Sequence, residues 1–348
     1  MTKLRYADTL DRMLKIIRTR DKSQTMAAFI VDSPWLPDYI DADTLDFYFD
    51  SQIWLKSYLQ LIDDLSGVAF VPGSWAEFGM ATEPSGWGVK IQWSHSTPPS
   101  LHHLAELSEI VQADVPNPEQ DGLMPLILRH YERMDPELKI HGIEPRIAAA
   151  RGPLAVASHL IGVTELLMAT QLEPDTCIQF LEKTTELIIR WLSAQLQRMS
   201  EPVGVLVLDD IVGMLGPGDV AKFAFPYLEK VFGNFPDMIH FYHNDTPNES
   251  IFKGLAETGV DVFNFSHITD IHTARRLLGN DIVLMGNIPP LDVLVRGTVN
   301  EVRKSTEDIL EKMANAGPML VSAGGGVSPG TPIRNLQTVT GVINTYTK

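Results

Sequence analysis

The chain contains 348 residues, of which 44% are hydrophobic and 21% are charged, so it is long enough for one large domain or two ordinary ones. Its formal net charge of −16 argues against nucleic acid and anionic membrane as partners. The single cysteine, Cys177, cannot form a disulfide within the chain or a zinc site built from several cysteines. The sequence begins without the apolar core of a signal peptide and contains no apolar run of the roughly 20 residues that span a membrane, so we expect a cytoplasmic protein.

Residues 1–66 are predicted to form a mostly helical N-terminal extension. Within 41–65, apolar side chains recur near helical spacing. In the preceding segment, 26–41, a short apolar run is followed by two prolines and two aromatic residues. This pattern leaves open whether the segment is a core strand or a lid over a site.

From residue 67 onward, short apolar runs that end in small or polar residues alternate with helix-like stretches. The seven runs are 68–71, 154–157, 205–208, 238–242, 260–265, 282–285 and 319–321, and an eighth comes from Ile30-Val31 or from 143–150. The predicted helices cover 219–232, 249–258, 270–278 and 299–316. Such alternation predicts parallel strands joined by right-handed crossovers, and about eight strands predict an α/β fold of the (β/α)8 TIM-barrel type. A doubly wound open sheet is the alternative.

We expect the whole chain, 1–348, to form a single (β/α)8 barrel domain. The region 79–120 is less regular and contains paired prolines, tryptophans and the histidines His95, His102 and His103. We predict that this region is an insertion over the barrel mouth.

Polar residues follow many of the predicted strands, and a barrel brings the carboxyl ends of its strands to one mouth. The groups found there are Asp209, Asp210, His240, Tyr242, His243, Asn244, Asn264, His267, Asn287 and the backbone amides of Gly324, Gly325 and Gly326. Imidazole and carboxylate groups indicate a metal or acid–base site, since a catalytic zinc takes about three such ligands. Alternation along the strand predicts that His240 and Tyr242 face the barrel interior and that His243 lies at the strand exit.

Each of these residues also has a structural alternative. His240 could be a hydrogen-bonded core histidine, either aspartate could cap a helix, and the glycines could form a tight turn. Cys177, in a helical stretch, is expected to be a small buried hydrophobic residue.

Several segments together resemble the uroporphyrinogen decarboxylase superfamily. The matching pieces are RGPLAVASHLIGVTELL (151–167), AKFAFPYLEKVF (221–232), HFYHNDTP (240–247), LAETGVDVFNF (255–265), LGNDIVLMGNIPPLDVLVRGT (278–298) and SAGGGVSPGTPIRNL (322–336). The resemblance implies a (β/α)8 barrel with its active site at the strand carboxyl ends.

The two main branches of this superfamily carry different motifs, and the chain departs from both. Decarboxylases have an RQAGR-like segment and a Ser-Asp-Ile motif, where this chain has SPWLPDYID (33–41) and VPGSWAEFG (71–79). Corrinoid-dependent thiol methyltransferases hold zinc with His-x-Cys and a later cysteine. Here His240 matches the histidine, while Tyr242 and Gly325 stand where the cysteines are expected. Neither porphyrinogen decarboxylation nor thiol methylation is therefore expected.

The resemblance instead favours the aryl methyl ether O-demethylase type of methyltransferase (methyltransferase I). Such an enzyme moves a methyl group from a methoxylated aromatic or similar donor to the Co(I) corrinoid, a cobalamin, carried by a partner protein. A lyase that acts on a small carboxylic acid is the alternative, and it requires Arg129, Arg146, Arg151 or Arg334 at the mouth. A third possibility is a barrel that binds a ligand or a corrinoid protein without catalysis.

This interpretation assigns roles to individual residues. The catalytic group comprises His243, Asp209, Asp210 and Tyr242; the substrate-binding group comprises Asn244, Asn264, Asn287, Trp75 and Gly325; and the zinc ligands are His240, His243 and Asp209. An aromatic-rich mouth formed by Trp35, Tyr39, Trp75, Trp87 and Trp93 is expected to hold an aromatic ring.

Overall fold

The structure is a computed structural model that describes residues 6–101, 105–314 and 316–346. Eight of its strands form the barrel: β1 Ala28–Ile30, β2 Ala69–Val71, β3 Ile147–Arg151, β4 Gly204–Leu208, β5 Ile239–Asn244, β6 Val262–Phe265, β7 Val283–Ile288 and β8 Met319–Ala323. A further short antiparallel pair joins Ile91–Gln92 to Ser100–Leu101.

The described helices cover most of the remaining chain. They are α1 Tyr6–Thr19, α2 Leu36–Tyr39, α3 Thr44–Phe49, α4 Ser51–Asp64, α5 Leu107–Gln112, α6 Met124–His141, α7 Pro153–Ile161, α8 Val163–Leu172, α9 Pro174–Leu196, α10 Pro217–Phe223, α11 Phe225–Gly233, α12 Glu249–Leu255, α13 Ile271–Leu278, α14 Val299–Met313 and α15 Ile333–Tyr346. Short 3-10 turns lie at Pro84–Trp87, Asp210–Met214 and Ala256–Thr258, and a π-helical turn lies at Pro290–Val295.

The strands run parallel around a barrel. Strands β3 to β8 pair in sequence order, and β1 pairs with β2. A parallel bridge between Ala27 and Val321, together with the hydrogen bond from Val327 N to Ile30 O, joins β1 to β8. Among the described residues no ladder joins β2 to β3. The apolar residues of all eight strands, including Ala69 and Val71 of β2 and Ile147 and Ala149 of β3, meet in one interior cluster, which favours a closed barrel over the open-sheet alternative.

Alternate residues of the strands fill the barrel interior. The inward-facing apolar set includes Ala28, Ile30, Ala69, Val71, Ile147, Ala149, Leu206, Leu208, Ile239, Phe241, Val262, Val283, Met285 and Leu320. Helix α1 contributes Leu10, Met13 and Ile17 to the same cluster. One face of α1 therefore closes the amino-terminal end of the barrel, and the polar strand ends lie at the opposite, open end.

The (β/α)8 prediction is confirmed, with one strand misplaced. Residues 154–157 belong to helix α7, which begins at Pro153 after Gly152, where a proline suits the first helical turn. Nearly all of α7 is buried, so its continuous apolar run could not be distinguished from a core strand by periodicity. Both segments considered for the eighth strand contain barrel strands: β1 overlaps Ile30-Val31, and β3 overlaps 143–150.

The described part of the N-terminal segment, 6–66, consists mostly of helices, but it also contains β1, which is a strand of the barrel. The assignments of 1–348 to one domain and of 79–120 to an insertion over the mouth remain predictions. His102 and His103 lie outside the described residues.

Among the described residues, no single helix has both the length and the apolar composition needed to cross a bilayer. Only α7 and α8 taken together, which are bent by 107° relative to each other, meet that test of length and composition.

Candidate functional site

A cavity of about 320 Å³ lies at the carboxyl ends of the barrel strands, and we call it the mouth cavity. Its polar lining comes from different parts of the sequence: Asp32 follows β1, Arg151 ends β3, Asp210 follows β4, His243 lies near the end of β5 and His159 lies on α7. The prediction that polar strand ends gather at one mouth is therefore confirmed for Asp210 and His243.

His243 is held in one orientation by Asn264. The Asn264 amide nitrogen donates to the carbonyl oxygens of Met285 and Ala323, so its side-chain oxygen faces His243 Nδ1 at 2.7 Å. This arrangement requires Nδ1 to carry a hydrogen, since the amide oxygen can only accept. In the neutral ring, Nε2 is then left with a free lone pair, as in many metal-ligating histidines.

Three side chains at the mouth could hold a metal ion. The ligand atoms of Asp210, His243 and Asp245 all lie within 4.8 Å of one another. Asp210 Oδ1 is 3.4 Å from His243 Nε2 and accepts a hydrogen bond from the backbone N–H of Asp245. One imidazole nitrogen and two carboxylates form a donor set that suits a divalent cation such as Zn²⁺.

The charges of these three groups depend on one another. Burial disfavours ionisation of Asp210, but the adjacent His243 outweighs it and holds the pKa of that carboxyl below its usual range. Burial also opposes a charge on His243, yet Asp210 prevails and raises the pKa of the imidazole to about 9. Burial, followed by repulsion from Asp210, raises the pKa of Asp245. This concentration of negative charge favours a cation at the cluster.

A buried ion pair supports the wall of the mouth cavity. Arg151 donates from Nη2 to Glu77 at 2.8 Å, and both side chains are only 4% exposed. The second Glu77 oxygen accepts from the backbone N–H of Ser33, and Glu83 accepts from the backbone N–H of Arg151. The Arg151 guanidinium also lies 5.0 Å from the ring of Trp75. These contacts hold Arg151 in place and neutralise its charge within the protein.

Asp32 lines the same cavity near that ion pair. Burial, followed by repulsion from Glu77, raises the pKa of Asp32 to about 7, and attraction from Arg151 offsets part of the rise. A carboxyl with this pKa can exchange a proton near neutral pH. Asp32 is therefore a candidate acid–base group facing the cavity.

Asp209, which was predicted to be catalytic and to bind zinc, occupies a different environment. Its carboxylate oxygens accept from the backbone N–H groups of Leu154 and Ala155, in the first turn of α7. A Cβ added at Gly152 would lie 2.3 Å from Asp209 Cβ and from Oδ2, so the side chain fits closely against the start of that helix. Asp209, which follows β4, thus caps the start of α7, and its assignment as a zinc ligand is corrected.

The predicted orientation of His240 and Tyr242 is wrong. The His240 ring stacks on Phe232 of α11 with 4.7 Å between centroids, and its nitrogens lie 2.7 and 2.9 Å from the carbonyl oxygens of Gly259 and Phe235. Tyr242 stacks on Phe263, and its hydroxyl donates to the carbonyl oxygen of Asp209. Both side chains face the surrounding helices, because Ile239, Phe241 and His243 form the inward-facing set.

The predicted substrate-binding asparagines are engaged with the protein itself. Asn244 donates to the carbonyl oxygen of Asp209 at 2.7 Å, and Asn287 donates to the carbonyl oxygens of Ser266 and Thr269. Asn264 holds His243, as described above. All three are buried and connect neighbouring strand ends, so the structure supports a positioning role rather than contact with substrate.

The two other predicted substrate-binding residues, Trp75 and Gly325, also lie beside the cavity rather than on its surface. Trp75 packs beneath Arg151. Gly325 has φ +137°, and a Cβ added there would lie 2.8 Å from Asp245 Oδ2. The glycine therefore leaves room for the Asp245 carboxylate, at the position where the family resemblance predicts a cysteine.

The predicted aromatic mouth is not formed. Trp35 is buried, donates to the carbonyl oxygen of Thr331 and stacks on Tyr39. Neither of these residues, nor Trp75, Trp87 or Trp93, is among the described residues that line the mouth cavity. Aromatic side chains instead gather around a second cavity, which is described below.

The arginines do not converge in the way that the lyase alternative requires. Arg129 is exposed and pairs with Glu132, Arg146 pairs with Asp11 of α1 at the closed end of the barrel, and Arg334 is exposed on α15. Of the four candidates only Arg151 lines the mouth cavity, and Glu77 already neutralises its charge.

Sequence reasoning missed several residues of the site. Asp32 directly follows the apolar run that became β1, and this position could have identified it. Asp245 was noted in the His-Asn-Asp segment but was not assigned as a ligand. His159 was obscured because its segment was interpreted as a strand, although it lies on α7 and lines the cavity.

Comparisons with known proteins support this architecture. A uroporphyrinogen decarboxylase from Thermus thermophilus is 26% identical over 265 residues, which cover 74% of this chain and 75% of that protein. The methylated-thiol–coenzyme M methyltransferase of Methanosarcina mazei is 21% identical over 298 residues, covering 82% and 77% of the respective chains.

Among solved structures, a methyltransferase from Methanosarcina mazei superposes with a TM-score of 0.81 at 18% identity, over 97% of this chain and 98% of that one. At this identity the similarity supports the fold alone. The family model described as uroporphyrinogen decarboxylase (URO-D) matches residues 39–346, which is most of the chain. The chain therefore belongs to the uroporphyrinogen decarboxylase (URO-D) family.

Proposed function

We propose that the protein is a methyltransferase that moves a methyl group from the oxygen of a methoxylated aromatic, or a similar donor, to the Co(I) corrinoid of a partner protein. The observation that carries this proposal is the cluster of Asp210, His243 and Asp245 at the mouth cavity. Similarity to a protein named as a methyltransferase supports the reaction class. The nature of the donor is inferred from the ligand atoms in the cluster.

The cluster fits a zinc ion. In the neutral tautomer that Asn264 selects, His243 Nε2 offers a lone pair that a cation would take in place of the proton favoured by Asp210, and two carboxylates lie within reach of it. When bound there, zinc would supply Lewis-acid assistance to the oxygen that loses the methyl group. Because all three ligands are nitrogen or oxygen donors, the site differs from one that activates a thiol through thiolate ligands.

Cysteine chemistry is not available to the mouth cavity. Cys177 is buried in α9, and burial raises the pKa of its thiol to about 11. The metal ligand set therefore contains no thiolate, which favours an oxygen donor over a methylated thiol.

A side chain of the protein itself would supply the proton that the reaction requires. Methyl transfer breaks the carbon–oxygen bond of the donor, and its electron pair stays on the oxygen, while an electron pair of Co(I) forms the new carbon–cobalt bond. The departing oxygen then needs a proton. Asp32 faces the cavity and holds a proton up to a pKa of about 7, so we assign it as the acid that donates this proton.

The cavity also limits the size of the donor. Its volume of about 320 Å³ lies at the lower end of the range of roughly 300–1,000 Å³ for ligand pockets. A donor with a single aromatic ring suits this volume better than a tetrapyrrole. The fixed Arg151–Glu77 pair and the absence of a second arginine among the described lining residues disfavour a polycarboxylate.

The rim of the barrel offers a surface for a partner protein. Four large apolar side chains, Met80, Met214, Ile268 and Leu291, are exposed after strands β2, β4, β6 and β7, and Ile268 is 66% exposed. Exposed apolar side chains around one opening are typical of protein interaction sites. A corrinoid protein that docks there would bring its cobalt to the mouth cavity.

The experiment that tests this proposal combines zinc-loaded protein, chemically reduced cobalamin and a panel of methoxyarenes. We expect the absorbance of methylcobalamin to rise with at least one methoxyarene. Elemental analysis should find zinc bound to the wild type and a lower zinc content in Asp245→Ala. A matched panel of methyl thioethers serves as the control. Methyl transfer from thioethers alone, or from no donor even when the corrinoid partner is supplied, would contradict the proposal.

A further inference from the structure

A second and larger cavity, of about 500 Å³, lies beside the barrel and has no part in the proposed reaction. We call it the side cavity. It is an open cavity lined by α3, α4, α6 and the segment that follows β2. Its volume lies within the range of roughly 300–1,000 Å³ that is typical of small-molecule sites.

The walls of the side cavity are rich in aromatic rings. Phe49 is 62% exposed, and its ring lies 6.0 Å from that of Phe78. The ring of Trp54 meets the His130 imidazole edge-on, with 4.4 Å between centroids. An exposed phenylalanine beside other aromatic rings offers a surface on which a flat ligand ring can pack.

The basic groups of the side cavity are not neutralised within it. Arg129 and Arg133 are one turn apart on α6, so they share a helix face. Arg129 pairs with Glu132 at the surface, whereas Arg133 forms no ion pair with the described residues. The His130 Nε2 atom is buried and has no hydrogen-bond partner among those residues. Burial, followed by Arg133, lowers the pKa of His130 to about 4, so its ring is neutral at pH 7.

The acidic groups of the same cavity are already engaged. Asp50 caps α4 by accepting from the backbone N–H of Gln52. Glu77 accepts from Arg151 and from the backbone N–H of Ser33. Among the described residues, Arg133 and His130 Nε2 are therefore the cavity groups without an ion-pair or hydrogen-bond partner, and they lie beside aromatic rings.

We infer that the side cavity binds an aromatic monocarboxylate. The ring packs against Phe49, Phe78 and Trp54, the carboxylate pairs with Arg133, and His130 Nε2 provides a further hydrogen bond. A guanidinium is well suited to this role because it matches the geometry of a carboxylate. The site is distinct from the mouth cavity, because the Arg151–Glu77 ion pair stands between the two.

The test measures binding of 2-naphthoate, with the neutral 2-naphthamide as its matched probe, by titration calorimetry on the full chain. We expect naphthoate to bind the wild type and Arg133→Gln to weaken that binding at least about tenfold, while the weaker binding of the amide changes little. Phe49→Ala, at an exposed position, should weaken both ligands. Arg334→Gln is the control for loss of one surface charge and should change neither.

His243→Ala separates this site from the proposed reaction, because it alters the mouth cavity and should leave naphthoate binding intact. The inference would be overturned if Arg133→Gln bound naphthoate as tightly as the wild type. It would also be overturned if His243→Ala, rather than Arg133→Gln, abolished naphthoate binding. The absence of naphthoate binding at millimolar concentration would also overturn it. Failure of methyl transfer in the donor screen would leave the inference unaffected.

Discussion

The two histidines of β5 show how differently one strand can use the same residue type. His240 and His243 are both buried, but they lie on opposite faces of the strand. Both nitrogens of His240 meet backbone carbonyl oxygens, and its ring stacks on a helix side chain. His243 is held through one nitrogen by Asn264 and directs the other toward Asp210 at the cavity. The first arrangement completes the core, whereas the second leaves one ring nitrogen facing the cavity, where it can hold a proton or a metal ion.

The same contrast separates Asp209 from Asp210. Asp209 accepts from two backbone N–H groups at the start of α7, whereas Asp210 faces His243 at the mouth cavity. Adjacent residues with the same side chain thus serve stability in one case and the site in the other. The two histidines have the same side chain, as do the two aspartates, and the members of each pair differ in what they face. Substituting both members of a pair can therefore test whether one serves stability and the other serves the site.

The largest expected effect is that of His243→Ala on methyl transfer. Loss of the imidazole removes a metal ligand and one lining group of the mouth cavity, so we expect the rate to fall by at least about 100-fold. The matched variant His240→Ala should retain the rate while losing about 1–3 kcal/mol of stability, because it removes the imidazole contacts to the Gly259 and Phe235 carbonyl oxygens and the stacking on Phe232. Rates come from methylcobalamin absorbance and stabilities from urea titration. Equal rates in the two variants would place the chemistry elsewhere.

A second pair of variants compares the aspartates through stability and metal binding. Asp209→Ala leaves the backbone N–H groups of Leu154 and Ala155 without an acceptor, so we expect a loss of about 1–3 kcal/mol in the free energy of unfolding. Asp210→Ala should cost less stability than Asp209→Ala, because the Asp210 carboxylate is partly exposed, but it should weaken zinc binding by about tenfold or more. The measurements are urea denaturation and competition with a zinc chelator. Stronger loss of zinc in Asp209→Ala would reverse the assignment.

A third test asks whether Asp32 is the proton donor at the mouth cavity. Its pKa of about 7 lies above the ordinary value of 3.8, so the protonated form is available below pH 7 and is lost above it. We expect the rate to fall by up to about tenfold per pH unit above pH 7, and Asp32→Asn to be slow but free of this decline. The measurement is the pH–rate profile of both proteins. An unchanged profile in Asp32→Asn would exclude Asp32 as the proton donor.

The same shift has a consequence for stability, with a definite sign. The folded protein holds the Asp32 proton more tightly than the unfolded chain does, so the free energy of unfolding falls as the pH rises from about 4 to about 7. Asp32→Asn should make this dependence less steep. Urea titrations across that range provide the measurement, and a slope that is identical in the two proteins would count against the raised pKa.

Much of the architecture could be predicted from the sequence, because apolar runs and the residues that end them are local features. The runs at 205–208, 238–242 and 282–285 all lie within or overlap barrel strands. Residues 154–157 were misassigned because a short, fully buried helix and a buried strand have the same composition. The gathering of Asp210 and His243 at one mouth followed from the parallel arrangement of the strands.

The sequence did not show which side chains of a strand face the cavity. In a barrel strand both faces are buried, one by the interior and one by the helices, so hydrophobicity does not reveal which alternate set points inward. An error of one residue in phase therefore assigned His240 and Tyr242 to the site. The side cavity was also missed, because α3, α4 and α6 bring its aromatic and basic residues together from separate parts of the chain.

The sequence by itself determined the alternation of strands and helices, the acidic character of the chain and the polar residues that end the strands. Only the tertiary structure decided which of two neighbouring aspartates, and which of two histidines in one strand, faces the cavity. It also brought Asp32 and Arg151 to the same cavity as His243, although more than a hundred residues separate the first two in sequence. The physical reason is that side-chain orientation depends on what packs against each face of a strand, and those contacts come from distant segments.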